Sequence, residues 1–173
     1  LAMERFDAQN KIDVANAEMA MDQHAAKFEQ WKTENPDPRG WEGGWAKHME
    51  GYNPVDDKMS PNAAEAVTAR YKLFQGQSSI KIATDATKQT FANARGLDIT
   101  RIRIAADQGN VDEVRRLATG NKYLNPGEDE AFIYGAEEKR KDLEKKAIAD
   151  KEKSTLEEVL TVATDNPDEA EKI

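Results

Sequence analysis

The chain has 173 residues, of which 38% are hydrophobic and 34% are charged, and its formal net charge is −8. So large a charged share leaves a thin apolar core, which favours packed long helices over a compact α/β fold. The negative charge argues against a general nucleic-acid-binding protein, because such proteins normally carry a basic face. The chain has no cysteine, which excludes a disulfide framework and thiolate metal sites.

Neither a membrane span nor a signal peptide is visible in the sequence. No run of about 18 apolar residues occurs, which is the length that a spanning helix needs. The opening residues Leu1 to Glu4 include neither a basic region nor an apolar one. Both ends fall inside helical patterns, so we interpret the sequence as a fragment of a longer protein.

The first predicted element is a long helix over residues 3–34. Its apolar face recurs at spacings of three and four residues, which is the helical period. The members of that face are Val14, Ala17, Met21, His24, Phe28 and Trp31. The prolines at positions 36 and 38 end the helix, because each disfavours helical backbone in the residue before it.

A short aromatic helix is predicted next. Its aromatic stripe has the spacing i, i+4, i+7 and i+11, which places the members on one helix face, and consists of Trp41, Trp45, His48 and Tyr52. Gly43 and Gly44 each weaken this helix by up to about 1 kcal/mol relative to alanine. We therefore expect the stripe to form a helix by docking on the end of the first one, near Phe28 and Trp31.

Residues 60–109 form the central predicted helix. Ser60 is a good N-cap with Pro61 at the first helical position, and Gly109 suits a left-handed residue after the last turn. We expect a bend or break near Gly96, because glycine has low helix propensity. A short helix from Asn110 to residue 118 follows.

The last long helix is predicted to begin at Asn125-Pro126 and to reach residue 150 or beyond. Its middle, residues 137–153, is nearly all charged, which is typical of a solvated helix. Ser154 and Glu157 match a capping box, so a restart after a kink is expected there. The final apolar face consists of Leu156, Val159, Leu160 and Ala163.

These elements predict an all-α protein of extended antiparallel helical hairpins, or a bundle, with two or three long helices. We divide it into residues 1–58, with the first helix and the aromatic helix, and residues 59–165, with the central helix and further hairpins. Residues 166–173 begin another helix at Asn166-Pro167. The Asn-capped acidic start at Asn110 resembles that at Asn166, so a helical-repeat protein is compatible with the sequence.

The sequence contains no recognisable catalytic, cofactor or metal motif. His24 and His48 are the only histidines, and neither lies in a metal-binding frame such as H-E-x-x-H. His24 occupies an apolar-face position and is interpreted as a packed histidine, with a ligand or switch role as the alternative. The paired acidic residues are interpreted as solvated surface, not as the two carboxylates of a glycosidase. We therefore predict no enzymatic activity, no cofactor and no metal.

Two features have a second interpretation. The aromatic stripe of Trp41, Trp45, His48 and Tyr52 fits core packing, but it could instead bind a sugar chain or a partner helix. The arginines of the segment 95–116 fit a solvated face, but they could contact the acidic side chains of residues 137–158 in the same or a neighbouring subunit.

The order of motifs resembles helical structural proteins of tailed bacteriophages and prophages, in particular internal virion or ejection proteins. The resemblance lies in Phe28 to Trp31, Asn35 to Pro38, Trp41, Trp45, Met59 to Pro61, Gly109 to Glu113 and Leu124 to Glu128. It implies a non-enzymatic assembly protein in a virion or a bacterial cytoplasm, with its own copies or neighbouring subunits as partners, as a homo-oligomer or within a larger assembly. The alternatives are a helical module that presents Trp41, Trp45 and Tyr52 to a glycan or protein, and a helical-repeat adaptor of the bacterial cytoplasm.

Overall fold

The computed structural model describes residues 2–165, and the side chains of residues 3–164, as five α-helices and one 3₁₀ turn without a β-strand. The helices are α1 (Ala2–Glu34), α2 (Trp41–His48), α3 (Pro61–Asp107), α4 (Val111–Ala118) and α5 (Glu128–Asp165), and the 3₁₀ turn is Pro38–Gly40. The predicted all-α fold with two or three long helices is confirmed. The expected break at Gly96 and restart at Ser154 are wrong, because α3 and α5 continue through these residues. The helix predicted from Asn166 lies outside the described residues.

The chain divides into two compact units, Leu1–Ala92 and Asn93–Ile173. The division predicted from sequence, at residues 58 and 59, follows interruptions in the helical pattern. The division by packing falls inside α3 instead, since this helix supplies core residues such as Val67 to the first unit and Ile102 to the second.

In unit 1 the two long helices run parallel. Contacts between α1 and α3 advance along both helices together, as the pairs Asn10–Ser60, Glu29–Lys81 and Lys32–Asp85 show. The helix α2 runs antiparallel to α1, because His48 lies beside His24 and Trp45 beside Phe28. The predicted antiparallel hairpin therefore describes α1 and α2. The helix α3 instead runs parallel to α1, because α2 and residues 49–60 first return the chain to the start of α1.

Unit 2 has the same order of a long, a short and a long helix. Arg95 of α3 contacts Glu128 at the start of α5, and Gly109 lies against Arg140 further along, so these helices are also parallel. The short helix α4 packs between them. The buried core consists of Ile102, Ala105, Val111, Val114, Ala118 and Ala136.

The turn between α3 and α4 follows the predicted caps. Gly109 has φ +66°, and the N–H groups of Gly109 and Asn110 donate to the carbonyls of Ala106 and Ala105, both at 2.9 Å. These are the two hydrogen bonds of a Schellman motif. The Asn110 side chain then accepts a hydrogen bond from the N–H of Glu113 at 3.2 Å, which caps α4.

Two alanine substitutions can separate the effect of the close approach of Gly109 to α5 from the effect of its positive φ. A Cβ at Gly109 would lie 3.0 Å from the Arg140 Cα, whereas one at Gly120 (φ +70°) would meet nothing within 4 Å. We expect Gly109→Ala to lower the free energy of unfolding by about 2–4 kcal/mol, and the control Gly120→Ala by about 1 kcal/mol. Urea denaturation measures both, and equal losses would show that the contact with α5 contributes nothing.

The Arg95–Glu128 contact should make unit 2 sensitive to acid. Arg95 and the backbone N–H of Asn125 donate to the Glu128 carboxylate, which lowers its pKa from 4.5 to about 2. Because the folded pKa lies below the unfolded one, this stabilisation is present above about pH 4.5 and lost as the pH falls towards 2. Thermal denaturation between these pH values should show a smaller acid-induced loss in Glu128→Gln than in the wild type, and identical losses would contradict the assignment.

Candidate functional site

The aromatic cluster of unit 1 brings together the sequence-predicted site residues. It lies where α2 packs against α1 and α3, and its phenylalanine and tryptophan members are Phe28, Trp31, Trp41, Trp45 and Phe74. His24, His48, Tyr52 and Tyr71 extend the cluster through ring contacts.

Trp41 and Trp45 point into this cluster, with exposed fractions of 7% and 6%. The Trp41 indole N–H donates to the Asn35 carbonyl at 2.8 Å, and Trp45 meets Phe28 edge-on with 5.1 Å between ring centroids. This placement is what core packing predicts. It leaves little of either indole at the surface for a sugar ring to stack on.

His48 and Tyr52 reach the cluster by different routes. The helix α2 ends at His48, and Gly51 with φ +72° turns the chain before Tyr52. The expectation that Tyr52 shares a helix face with Trp41 and Trp45 is therefore wrong, because the glycine ends the helical path. Tyr52 nevertheless stacks on the His24 ring at a centroid distance of 3.9 Å.

The two histidines form a reciprocal pair between α1 and the end of α2. The His24 Nε2 lies 3.0 Å from the His48 carbonyl oxygen, and the His48 Nε2 lies 2.8 Å from the His24 carbonyl oxygen. A carbonyl oxygen can only accept, so each Nε2 carries a proton and donates it. The rings themselves stack at 4.0 Å.

Burial changes the proton affinities in this pair's surroundings. It lowers the pKa of His24 from 6.5, and the nearby His48 and Lys27 act in the same direction against the hydrogen bond to His48. Burial also raises the pKa of Tyr52, whose hydroxyl is buried and has no hydrogen-bond partner among residues 3–164. A packed histidine at position 24 was predicted, but its pairing with His48 was not.

Sequence reasoning missed a ring of charges beside the cluster. Lys32 is buried and lies 4.6 Å from the centre of the Trp41 ring. Four ion pairs form this ring. Two of them link α1 to α3, namely Lys32–Asp85 and Lys81–Glu29, and the other two lie within one helix, Lys32–Glu29 in α1 and Lys81–Asp85 in α3. Hydrogen bonds, first from Lys81 and then from Lys32, lower the pKa of Asp85. The available signal was the position of Lys32 one turn after Phe28, on the apolar face of α1.

The arginine segment contacts α5 of the same chain. Arg115 pairs with Glu137 at 2.8 Å, which is one of the two predicted interpretations, and Arg116 pairs with Glu113 of its own helix at 2.6 Å. Arg101 and Arg103 are exposed.

The clefts of unit 1 are open grooves. One groove between α1 and α3 has a volume of about 590 Å³ and is lined by Met21, Leu73 and Phe74 beside the Glu18–Arg70 ion pair.

Across residues 2–165, no group of three or more acidic or histidine side chains is placed to hold a metal ion. None of the helices over the same residues is both long enough and apolar enough to cross a membrane.

The two adjacent glycines of α2 test how tightly it docks on α1. A Cβ at Gly44 would overlap the Trp31 ring, whereas a Cβ at Gly43 would meet nothing within 4 Å. We expect Gly44→Ala to lower the free energy of unfolding by about 1–3 kcal/mol through this overlap. The matched control Gly43→Ala should raise it by up to about 1 kcal/mol, since alanine favours helix. Chemical denaturation measures both, and a stabilised Gly44→Ala would show that the docking is loose.

Comparison with known proteins finds no matching family model, no similar curated protein and no similar solved structure.

Proposed function

We propose that this protein is a non-enzymatic structural protein that associates with its own copies through exposed helix faces, as a component of a phage or prophage particle. The exposed half of α5 carries the proposal. Residues 138–158 are exposed without exception, over about six helical turns, and no other described helix covers them.

The exposed half of α5 gains little stability from contacts with the rest of its own chain. Isolated helices draw only marginal stability from their backbone, and most helical stability in proteins comes from packing of an apolar face. Leu156 and Leu160 lie one turn apart on such a face, with exposed fractions of 63% and 65%. Burial of one such leucine against a partner would contribute roughly 1.5–3 kcal/mol.

The other long helices also expose large apolar side chains. Ile12 and Met19 lie two turns apart on one face of α1, and Leu73 and Ile80 lie two turns apart on one face of α3. Single exposed apolar residues are ordinary, but aligned pairs on several helices favour lateral contacts between subunits. The phage assignment is supported by the order of motifs in the sequence, which resembles helical internal virion or ejection proteins.

Sedimentation equilibrium tests the association. The wild type should form a defined oligomer whose dissociation follows mass action, and Leu156→Glu should weaken the association at least about tenfold, because it places a charge where a leucine would be buried.

Ser154→Glu is the matched control. It adds the same charge to an exposed position on the opposite side of α5, so it should leave the association within about twofold of the wild type. Far-UV circular dichroism should be unchanged in both variants. A wild type that stays monomeric at its highest soluble concentration, or equal weakening by both substitutions, would contradict association through this face.

A further inference from the structure

We propose that two copies of this chain pair through the exposed halves of their α5 helices, which lie antiparallel with the twofold centre between residues 148 and 149. The inference rests on the proposed association through α5, and it adds the orientation and the register of the two helices. The contact surface is a stripe along α5, which we call the pairing stripe. It consists of Lys145, Ala149, Glu152, Leu156 and Val159.

The pairing stripe runs along one side of α5, because its members recur at spacings of four and three residues. All of them are exposed except Val159, which is half-buried. Ala149 has a small side chain near the centre, so it allows the axes of two helices to approach to about 8 Å. In this register Leu156 of one copy lies level with Lys141 of the other, where it covers the aliphatic stems of Lys141 and Lys145.

The pairing stripe lies on the side of α5 that faces away from the core of unit 2. Ala136 is buried in that core, and Ile133 packs against it. An α-helix has 3.6 residues per turn, so Lys145 lies about two and a half turns after Ala136, on the opposite side of the helix. Leu156 lies about five and a half turns after Ala136, again on the opposite side. A second helix on the stripe therefore does not compete with the core of unit 2 for the same face of α5.

The distribution of charge along α5 favours the antiparallel orientation. Residues 139–146 contain five basic and two acidic side chains, whereas residues 150–158 contain two basic and four acidic ones. Parallel helices would place each block beside the same block of the other copy. Antiparallel helices place each basic block beside an acidic one. Charges arranged in this way select the orientation of an interface more than they raise its affinity.

Two charged members of the pairing stripe specify the register. Three ion pairs inside α5 join residues three or four positions apart, namely Arg140–Glu144, Lys141–Glu138 and Lys153–Glu157. Within the described part of α5, no such pair engages Lys145 or Glu152. The antiparallel register sets Lys145 of each copy level with Glu152 of the other, so both charges gain a partner. A parallel pair would oppose Lys145 to Lys145 and Glu152 to Glu152, and like charges that face each other are destabilising.

Cysteine cross-linking tests the orientation, since the chain has no cysteine of its own. Lys141, Ile148 and Thr155 follow one edge of the pairing stripe at heptad spacing, so cysteines there sample three levels of α5. In the antiparallel pair the two copies of residue 148 differ in level by about 1.5 Å, whereas the two copies of residue 141, or of residue 155, differ by about 20 Å. A short bifunctional maleimide should cross-link Ile148→Cys at least about tenfold faster than Lys141→Cys or Thr155→Cys alone. A mixture of Lys141→Cys with Thr155→Cys should give a cross-linked mixed dimer.

Sedimentation of the same proteins before cross-linking separates this inference from the proposed function. A monomeric wild type would contradict the association itself, and the antiparallel pair with it. An oligomer in which the three single variants cross-link at equal rates would indicate parallel helices. An oligomer in which neither Ile148→Cys nor the mixture cross-links would indicate contact through another face. Each of these last two results would overturn the antiparallel pair while self-association remained.

Charge reversal tests the register. Lys145→Glu sets like charges level with each other at two places in the antiparallel pair, so it should weaken the association about tenfold, and less at high salt. The double variant Lys145→Glu/Glu152→Lys restores opposite charges and should associate within about threefold of the wild type. Lys151→Glu makes the same charge change on the outer side of α5, so it is the matched control and should stay within about twofold. Equal weakening by Lys145→Glu and Lys151→Glu, or no recovery in the double variant, would overturn the register.

Discussion

The packing of α2 on α1 is the contact on which unit 1 depends. The parallel arrangement of α1 and α3 requires a segment that returns the chain from the end of one helix to the start of the other. The returning helix has only eight residues and two adjacent glycines, so its own propensity cannot maintain it. Burial of Trp41 and Trp45, together with the fit of Trp31 over Gly44, stabilises the helix and fixes its place.

The ring of ion pairs gives the parallel pairing of α1 and α3 its register. A buried lysine costs free energy unless its charge is paired, and Lys32 meets both Glu29 and Asp85. A shift of one helix along the other would separate Asp85 from Lys32 while Lys32 stayed buried. The two half-exposed pairs of Lys81 add less individually, because solvent screens them.

Most helix boundaries were predictable because they depend on local chemistry. Ser60, Gly109 and Asn110 act through hydrogen bonds to residues within a few positions of themselves, and the sequence displays such signals directly. The pairing of His24 with His48 and the ring around Lys32 join residues that are distant in sequence. Nothing local indicates which partner a buried polar group selects, and a helical period alone does not distinguish parallel from antiparallel neighbours.

The uninterrupted course of α3 from unit 1 into unit 2 has a consequence for how the chain folds. Starting a helix is the costly step, whereas each further residue adds one hydrogen bond at little cost. A first turn that forms in either half of Pro61–Asp107 can therefore extend into the other without a second start. One nucleation event in this helix is therefore enough for both halves, and we expect it to couple the folding of the two cores.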